Sequence, residues 1–200
     1  RGTNGAITDD TTSLTVTPGV ADSLSVTSGA LSGTSVDSAL AAVTVSVVDA
    51  NTNNVVDGTS VTVSKVTGAG TLSGTLTTTT SGGVATFSDI RYNKTDAFTV
   101  KFTSINDSAN SNSITLTAGA AAKVLVETAA NGSGSVVATQ SITADQSVTG
   151  YSVTRDQFDN FVANVAATAW SLQSVNGGVV AGDLVAAGDS MSAVFSGNVI

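Results

Sequence analysis

The chain contains neither cysteine nor histidine in 200 residues. Without thiols there is no disulfide framework, thiolate metal site or cysteine nucleophile. Without imidazole, the commonest general base and transition-metal ligand are also gone. Proline occurs once, aromatics make up 4% and charged residues 11%. So few charges leave little for the Glu- and Lys-rich faces that surface helices present to water. Seven Lys and Arg stand against 15 Asp and Glu, a net charge of −8. The cations form no cluster, so the basic stripe that would neutralise phosphates is missing, and nucleic acid is excluded as a partner. No apolar run approaches the ~20 residues of a membrane helix, so no membrane insertion is expected in this segment. There is no Gly-x-Ser-x-Gly elbow, and the acids are scattered over turn-like stretches. The sequence therefore assembles no nucleophile–base pair, and an enzyme is not expected. The chain begins at Arg1 with neither Met nor signal peptide, and reads as a processed chain or an internal piece of one.

What is present is Val, Thr, Ala, Ser, Gly and Asn. Val and Thr are β-branched and fit a pleated, half-buried surface. Gly, Asn and Asp serve turns. The composition points to an all-β protein, and the length accommodates two domains of about 100 residues.

An internal repeat organises the chain. The segment from Ser13 to Val26 matches the segment from Ser113 to Val126 at an unbroken spacing of 100 residues. Leu14 aligns with Ile114, Val16 with Leu116, Gly19 with Gly119, Leu24 with Val124 and Val26 with Val126. Each copy reads as strand, Gly-containing turn, strand. Further on, Asp49-x-x-x-Asn53-x-Val55 aligns with Asp156-x-x-x-Asn160-x-Val162. The preceding strands alternate at Val43, Val45 and Val47 in one copy and at Tyr151 and Val153 in the other. Val47 and Val153 differ by one residue in their distance to the Asp, as a β-bulge would produce. Val61 and Val63 then match Thr168 and Trp170, and Ala85 and Phe87 roughly match Ala193 and Phe195. The first copy continues through Phe98–Phe102 to Ile114 and Leu116, whereas the second reaches Ile200 before those strands recur.

The expected organisation is the closing strand of a preceding repeat with its linker (1–18), a complete repeat (19–118), and a repeat truncated before its last strands (119–200). Short strands with turn signals every 8–12 residues fit two-sheet sandwiches. The expected first core is Val45, Val47, Val61, Val63, Phe87, Phe98, Val100, Phe102, Ile114 and Leu116. For the second it is Val124, Val126, Ile142, Val153 and Trp170.

The stretch Asp49-Ala50-Asn51-x-Asn53-x-Val55 with Gly58, then Gly83-x-Ala85-x-Phe87, resembles the bacterial Ig-like domains of invasin- and intimin-type surface proteins. The stretch from Val153 to Val162 is similar to the same strand-turn-strand. The resemblance covers most of 19–200. The departures are Asn54 for a frequent Pro, Asp159 for a frequent Gly, and Phe158 where the first copy has Asn51. It implies tandem immunoglobulin-like β-sandwiches with spacer and scaffold roles at the cell surface, often in long arrays, and it transfers no catalytic residue. The expectation is a structural, extracellular repeat segment of a surface layer, sheath, filament or adhesin stalk, whose partners are other copies of itself or neighbouring repeats. The alternative is an adhesin binding module that recognises a receptor or carbohydrate. Short Gly/Ser/Thr-rich loops favour the scaffold.

The residues of the Asp-x-x-x-Asn loops admit a turn reading and a metal reading. As turns, Asp49 and Asp156 cap the backbone two residues on, and Asn53 and Asn160 supply the left-handed conformation of a tight reversal. As a metal site, hard oxygens from Asp49, Asn51, Asn53 and Asp57, or from Asp156, Asp159 and Asn160, suit Ca²⁺, the single cofactor the composition suggests. Asp9-Asp10 is a third acidic pair. Asn93-Lys94-Thr95, Asn106-Asp107-Ser108 and Asn131-Gly132-Ser133 are N-glycan acceptor sequons, and Thr77–Ser81 could carry O-glycans. Lys65, Lys101 and Lys123 lie beside strands, but Lys101 and Lys123 alternate with core positions, which disfavours an intramolecular isopeptide bond. Trp170 reads as core, and Phe158 and Phe161 as a contact between repeats or subunits. Leu14 and Val16, which match a repeat-closing strand, are candidates for donation to a neighbouring copy.

Overall fold

A computed structural model describes residues 15–173, 175 and 177–197. The protein is all-β. Among the described residues the one helical element is a three-residue 3-10 turn, Ala181–Asp183.

The first repeat comprises β1 (Ala21–Val26), β2 (Val43–Asp49), β3 (Ser60–Thr67), β4 (Leu72–Ser73), β5 (Thr77–Thr79), β6 (Val84–Phe87), β7 (Arg91–Tyr92), β8 (Thr99–Thr103) and β9 (Ser108–Asn110). One sheet has the order β1-β2-β6 and the other β5-β3-β8-β9, with β4 and β7 as a small separate pair. Strict alternation along β2 turns Val43, Val45 and Val47 inward, each at most 1% exposed. From the facing sheet come Val61, Val63, Val100 and Phe102, and Phe87 meets Phe102 at 5.4 Å between ring centres. All ten residues expected in the first core are buried. Leu31, Val36, Leu40 and Ile90 join them from irregular segments and Tyr92 from the two-residue β7, all too short or irregular to carry a period-two signal. Tyr92 stacks on Phe98 at 3.8 Å, and its hydroxyl donates to Asp96 and accepts from Gly70 N at 2.7 Å. Each such aromatic contributes about 1.5–3 kcal/mol by burial. The closing segment 114–117 pairs with Phe98 and lies parallel to Ser35.

The second repeat comprises β10 (Lys123–Glu127), β11 (Ser147–Arg155), β12 (Phe161–Asn164), β13 (Leu184–Ala186) and β14 (Ser192–Ser196). They form one sheet, β10-β11-β14-β13, with β12 on β11. Its first three strands repeat β1-β2-β6. Leu24 faces Val47 and Val124 faces Thr154, each two residues before its Asp. The strands that correspond to β3 and β8 have no counterpart among the described residues.

Two expectations change here. Thr168 and Trp170 form no strand; Trp170 is half-buried, with its indole N–H on the Ser190 carbonyl at 3.0 Å. The bulge expected before Asp156 is also placed differently: β10 and β11 pair without a shift, and the register shift beside Thr154 and Arg155 lies in the pairing of β11 with β12, with the extra residue on β12. Because Thr154, not Val153, occupies the place of Val47, the side facing like the first core carries Gly150, Ser152 and Thr154. Val153 is buried on the opposite side, beside the Glu127–Arg155 ion pair. Of the expected second core, Val153 alone is fully buried. Val124 is 62% and Val126 42% exposed, and Ile142 and Trp170 are half-buried.

Candidate functional site: the joint between the repeats

The two Asp-x-x-x-Asn loops fold alike. Asp49 accepts the backbone N–H groups of Asn51 and Asn53, both at 2.9 Å, and the Asn53 side-chain amide. Asp156 accepts Phe158 N and Asn160 N at 2.9 Å and the Asn160 amide. The loop closes through backbone bonds from Asp49 N to Asn53 O and from Asp156 N to Asn160 O. The left-handed residue is the one before the Asn: Thr52 at φ 64° and Asp159 at φ 66°. The expectation that Asn53 and Asn160 adopt this conformation is therefore corrected. Their side chains are needed to bind the Asp, which requires them one position later.

Each Asp also reaches back to the start of its repeat. Asp49 Oδ2 accepts Gly19 N at 2.8 Å, and Asp156 Oδ2 accepts Gly119 N at 3.0 Å. These are the two glycines of the 100-residue register. The motif is thus a clamp on the linker as well as a turn. At the second joint the chain is anchored on both sides. Thr117 N donates to Thr34 O and Val36 N to Thr117 O on one side, and Ala122 N donates to Arg155 O on the other. Little free backbone remains to act as a hinge.

Bonds also cross this joint directly. The Asn160 amide donates to Asn93 O at 3.0 Å, Lys94 Nζ to Phe158 O at 2.6 Å, and Gln157 to Asp37 at 3.0 Å. Phe158 packs against the core of the first repeat, as a contact residue between repeats should. Its counterpart Asn51 is exposed. A cleft of about 440 Å³ lies between Ser35–Ser38, Gly119–Ala122 and Asp156–Phe158.

The electrostatics follow from the bonds. The N–H groups of Gly19 and Asn53 and the Asn53 side chain hold the Asp49 carboxyl down at about 2 against desolvation. Burial pushes Asp156 up, but the Asn160 side chain and the N–H groups of Gly119, Asn160 and Phe158 outweigh it, and the group lies below its usual value. Asp159 is lowered chiefly by Lys123, its ion-pair partner, helped by Lys94 and Arg155. These carboxylates stay ionised near neutrality and face N–H donors, which is the arrangement of a structural latch.

The other candidate residues are dispersed. Asp57 accepts Gly82 N at 2.6 Å. Among the described residues no three His, Cys, Asp or Glu gather as a metal-holding group. Asn93 is half-buried at the joint, with its side chain on Thr71 N; Asn106 donates to Ala21 O; Asn131 is exposed, and its Oδ1 accepts from Ser133. Lys65 donates to Gly70 O. Val16 is 84% exposed; Leu14, Asp9 and Asp10 lie outside the described residues. Lys94 and the Asn93 carbonyl escaped the sequence reading, because a lysine and a backbone oxygen in a loop carry no pattern.

The sequence matches no protein-family model and no curated protein. Among solved structures it is similar to surface layer protein SbsC, domains 1–6, at 12% identity and a TM-score of 0.38, covering 94% of this chain and 22% of that one. It is also similar to FdeC, an Escherichia coli adhesin, at 20% identity and a TM-score of 0.35, covering 89% of this chain and 57% of that one. A third likeness is to the D0-D1 domain of intimin, at 16% identity and a TM-score of 0.36, covering 90% of this chain and 86% of that one. The chain thus spans about a fifth of the SbsC chain and a little over half of the FdeC chain.

Proposed function

We propose that the chain is an architectural segment of an extracellular array, in which Ig-like repeats are set end to end at fixed angles to form a layer, sheath, filament or stalk. The observation that carries this reading is the duplicated clamp: Asp49 on Gly19 and Asp156 on Gly119, at the two linkers of the repeat. An independent binding module needs no device that fixes its orientation to its neighbour, whereas a load-bearing array does. The bonds from Lys94 and Asn160 across the joint, and Phe158 in the first core, serve the same end. The cell-surface location is part of this proposal and rests on the sequence resemblance.

Two measurements test it. Cysteine is absent, so spin labels at Ser73→Cys and Ala187→Cys, both exposed positions on different repeats, report the joint cleanly. A rigid array predicts one narrow distance distribution. Immunogold electron microscopy of native material should then place the chain in an ordered lattice or filament. A broad distribution, with labelling confined to scattered tips, would favour the binding-module alternative.

A further inference from the structure

We infer that the first repeat carries tension along the chain, and that the pairing of segment 31–36 with segment 112–117 is the element that bears it. Load enters at the two linker glycines, which lie at opposite ends of the repeat. Gly19 N is held by Asp49 at the end of β2, and Gly119 lies beside Val36. From Gly19 the chain runs along β1 against β2, then crosses over to lie against the closing segment. There Ser35 pairs with Thr117 in parallel. In a parallel pair, the end of one segment that leads to Gly19 and the end of the other that leads to Gly119 face opposite ways. Pulling on the glycines therefore slides the segments along each other and loads every bond between them at once. If both ends left on the same side, the bonds would open one at a time.

The bonds sit at both ends of the pairing. At one end Leu31 N donates to Asn112 Oδ1 at 2.7 Å, and the Asn112 amide donates to Leu31 O at 3.0 Å. At the other, Thr117 N donates to Thr34 O and Val36 N to Thr117 O, both at 3.0 Å, and the Thr117 hydroxyl donates to Thr34 O at 2.7 Å. Leu31, Val36, Ile114 and Leu116 are each at most 4% exposed, so sliding drags apolar side chains toward water. Gly33 lets the segments close, since a Cβ there would meet Leu116 Cδ2 at 2.7 Å. β1 is secured separately, by Leu24 N on Asp107 and by the Asn106 amide on Ala21 O. Forced unfolding is governed by the unfolding rate, so a pairing loaded in shear gives a strength that equilibrium unfolding does not report.

Because cysteine is absent, pairs of introduced thiols can hold the handles of a single-molecule force experiment on the intact chain, with the direction of pull as the variable. Val20, Ala30, Ala39 and Ala120 are all exposed. Val20→Cys with Ala120→Cys loads the repeat through both linkers. Ala30→Cys with Ala120→Cys bypasses β1 and still shears the pairing. Ala39→Cys with Ala120→Cys pulls from one end and peels it. The first two pairs should unfold at the same force and the third at a clearly lower one. Asn112→Ala, at an exposed position, removes two bonds. It should raise the unfolding rate at constant force about tenfold or more in the first two geometries. The peeling geometry opens from the Thr117 end, so its rate should change little. Equal forces in all three geometries, or no rise with Asn112→Ala, overturn the inference. A lower force for the pair at 30 and 120 than for the pair at 20 and 120 also overturns it, since β1 is then the resisting element. The inference goes beyond the array reading and is separable from it. A rigid joint with equal forces refutes the inference alone, and direction-dependent strength with a broad joint distribution refutes the array alone.

Discussion

Replacing Asp156 by Asn separates the two tasks of its carboxylate. Oδ1 accepts Phe158 N and Asn160 N, both at 2.9 Å, and so holds the loop. Oδ2 accepts Gly119 N at 3.0 Å and the Asn160 amide at 2.9 Å. An asparagine can keep its oxygen on the loop, but its NH₂ then faces the Gly119 and Asn160 donors, so donor meets donor. The reverse orientation gives up the loop bonds and is worse. Two charge-assisted bonds are lost from a residue that is 1% exposed. At roughly 1.5–3 kcal/mol each, reduced by water that reaches the linker, the cost is about 3 kcal/mol. That is a large part of a domain's usual stability of roughly 5–15 kcal/mol. Urea unfolding should show the loss. The distance distribution between labels at positions 73 and 187 should broaden, while the β-sheet circular dichroism is kept. Asp49→Asn is the control: its clamp on Gly19 lies at the other end of the first repeat, so it should leave that distribution unchanged. If Asp156→Asn leaves the distribution narrow, the bond to Gly119 does not set the joint and the clamp reasoning fails.

Acid should loosen the structure late. Asp49 is held at about 2 against an ordinary 3.8, so its contribution is fully present above about pH 5 and is lost as pH falls through the folded value; a melting-temperature profile flat from pH 5 to 8 and falling below about pH 4 is expected, and a fall beginning near pH 6 would contradict it. Ser152, 2% exposed, has a hydroxyl with no partner at the place held by Val45 in the first repeat, so Ser152→Val should stabilise the second repeat by about 1–2 kcal/mol in urea unfolding. Because the Asp49 and Asp156 oxygens already face N–H donors, millimolar Ca²⁺ should leave the melting temperature unchanged; a clear rise would restore the calcium reading of these loops.

The first repeat was legible because its strands are half-buried in the ordinary way. Period-two alternation at Val43, Val45 and Val47, and at Phe98, Val100 and Phe102, can satisfy only one sheet face, and all of these residues are buried. The 100-residue register and the paired Asp-x-x-x-Asn motifs were equally plain, since both are matters of spacing. Side-chain partners over long separations were not. Nothing local says that Asp49 binds Gly19 or that Asp156 binds Gly119, 37 residues away, nor that Lys94 finds a carbonyl at Phe158. The second repeat was misread for a related reason. Val153 looks like Val47 in the linear pattern, but strand pairing puts Thr154 in that place, and a one-residue shift sends a side chain to the other face. The sequence determined the strands, their repetition and the turn chemistry, because those depend on neighbours along the chain. Tertiary structure alone decided that the turn is also a latch, because hydrogen bonds between distant loops form only once the sheets have brought them together.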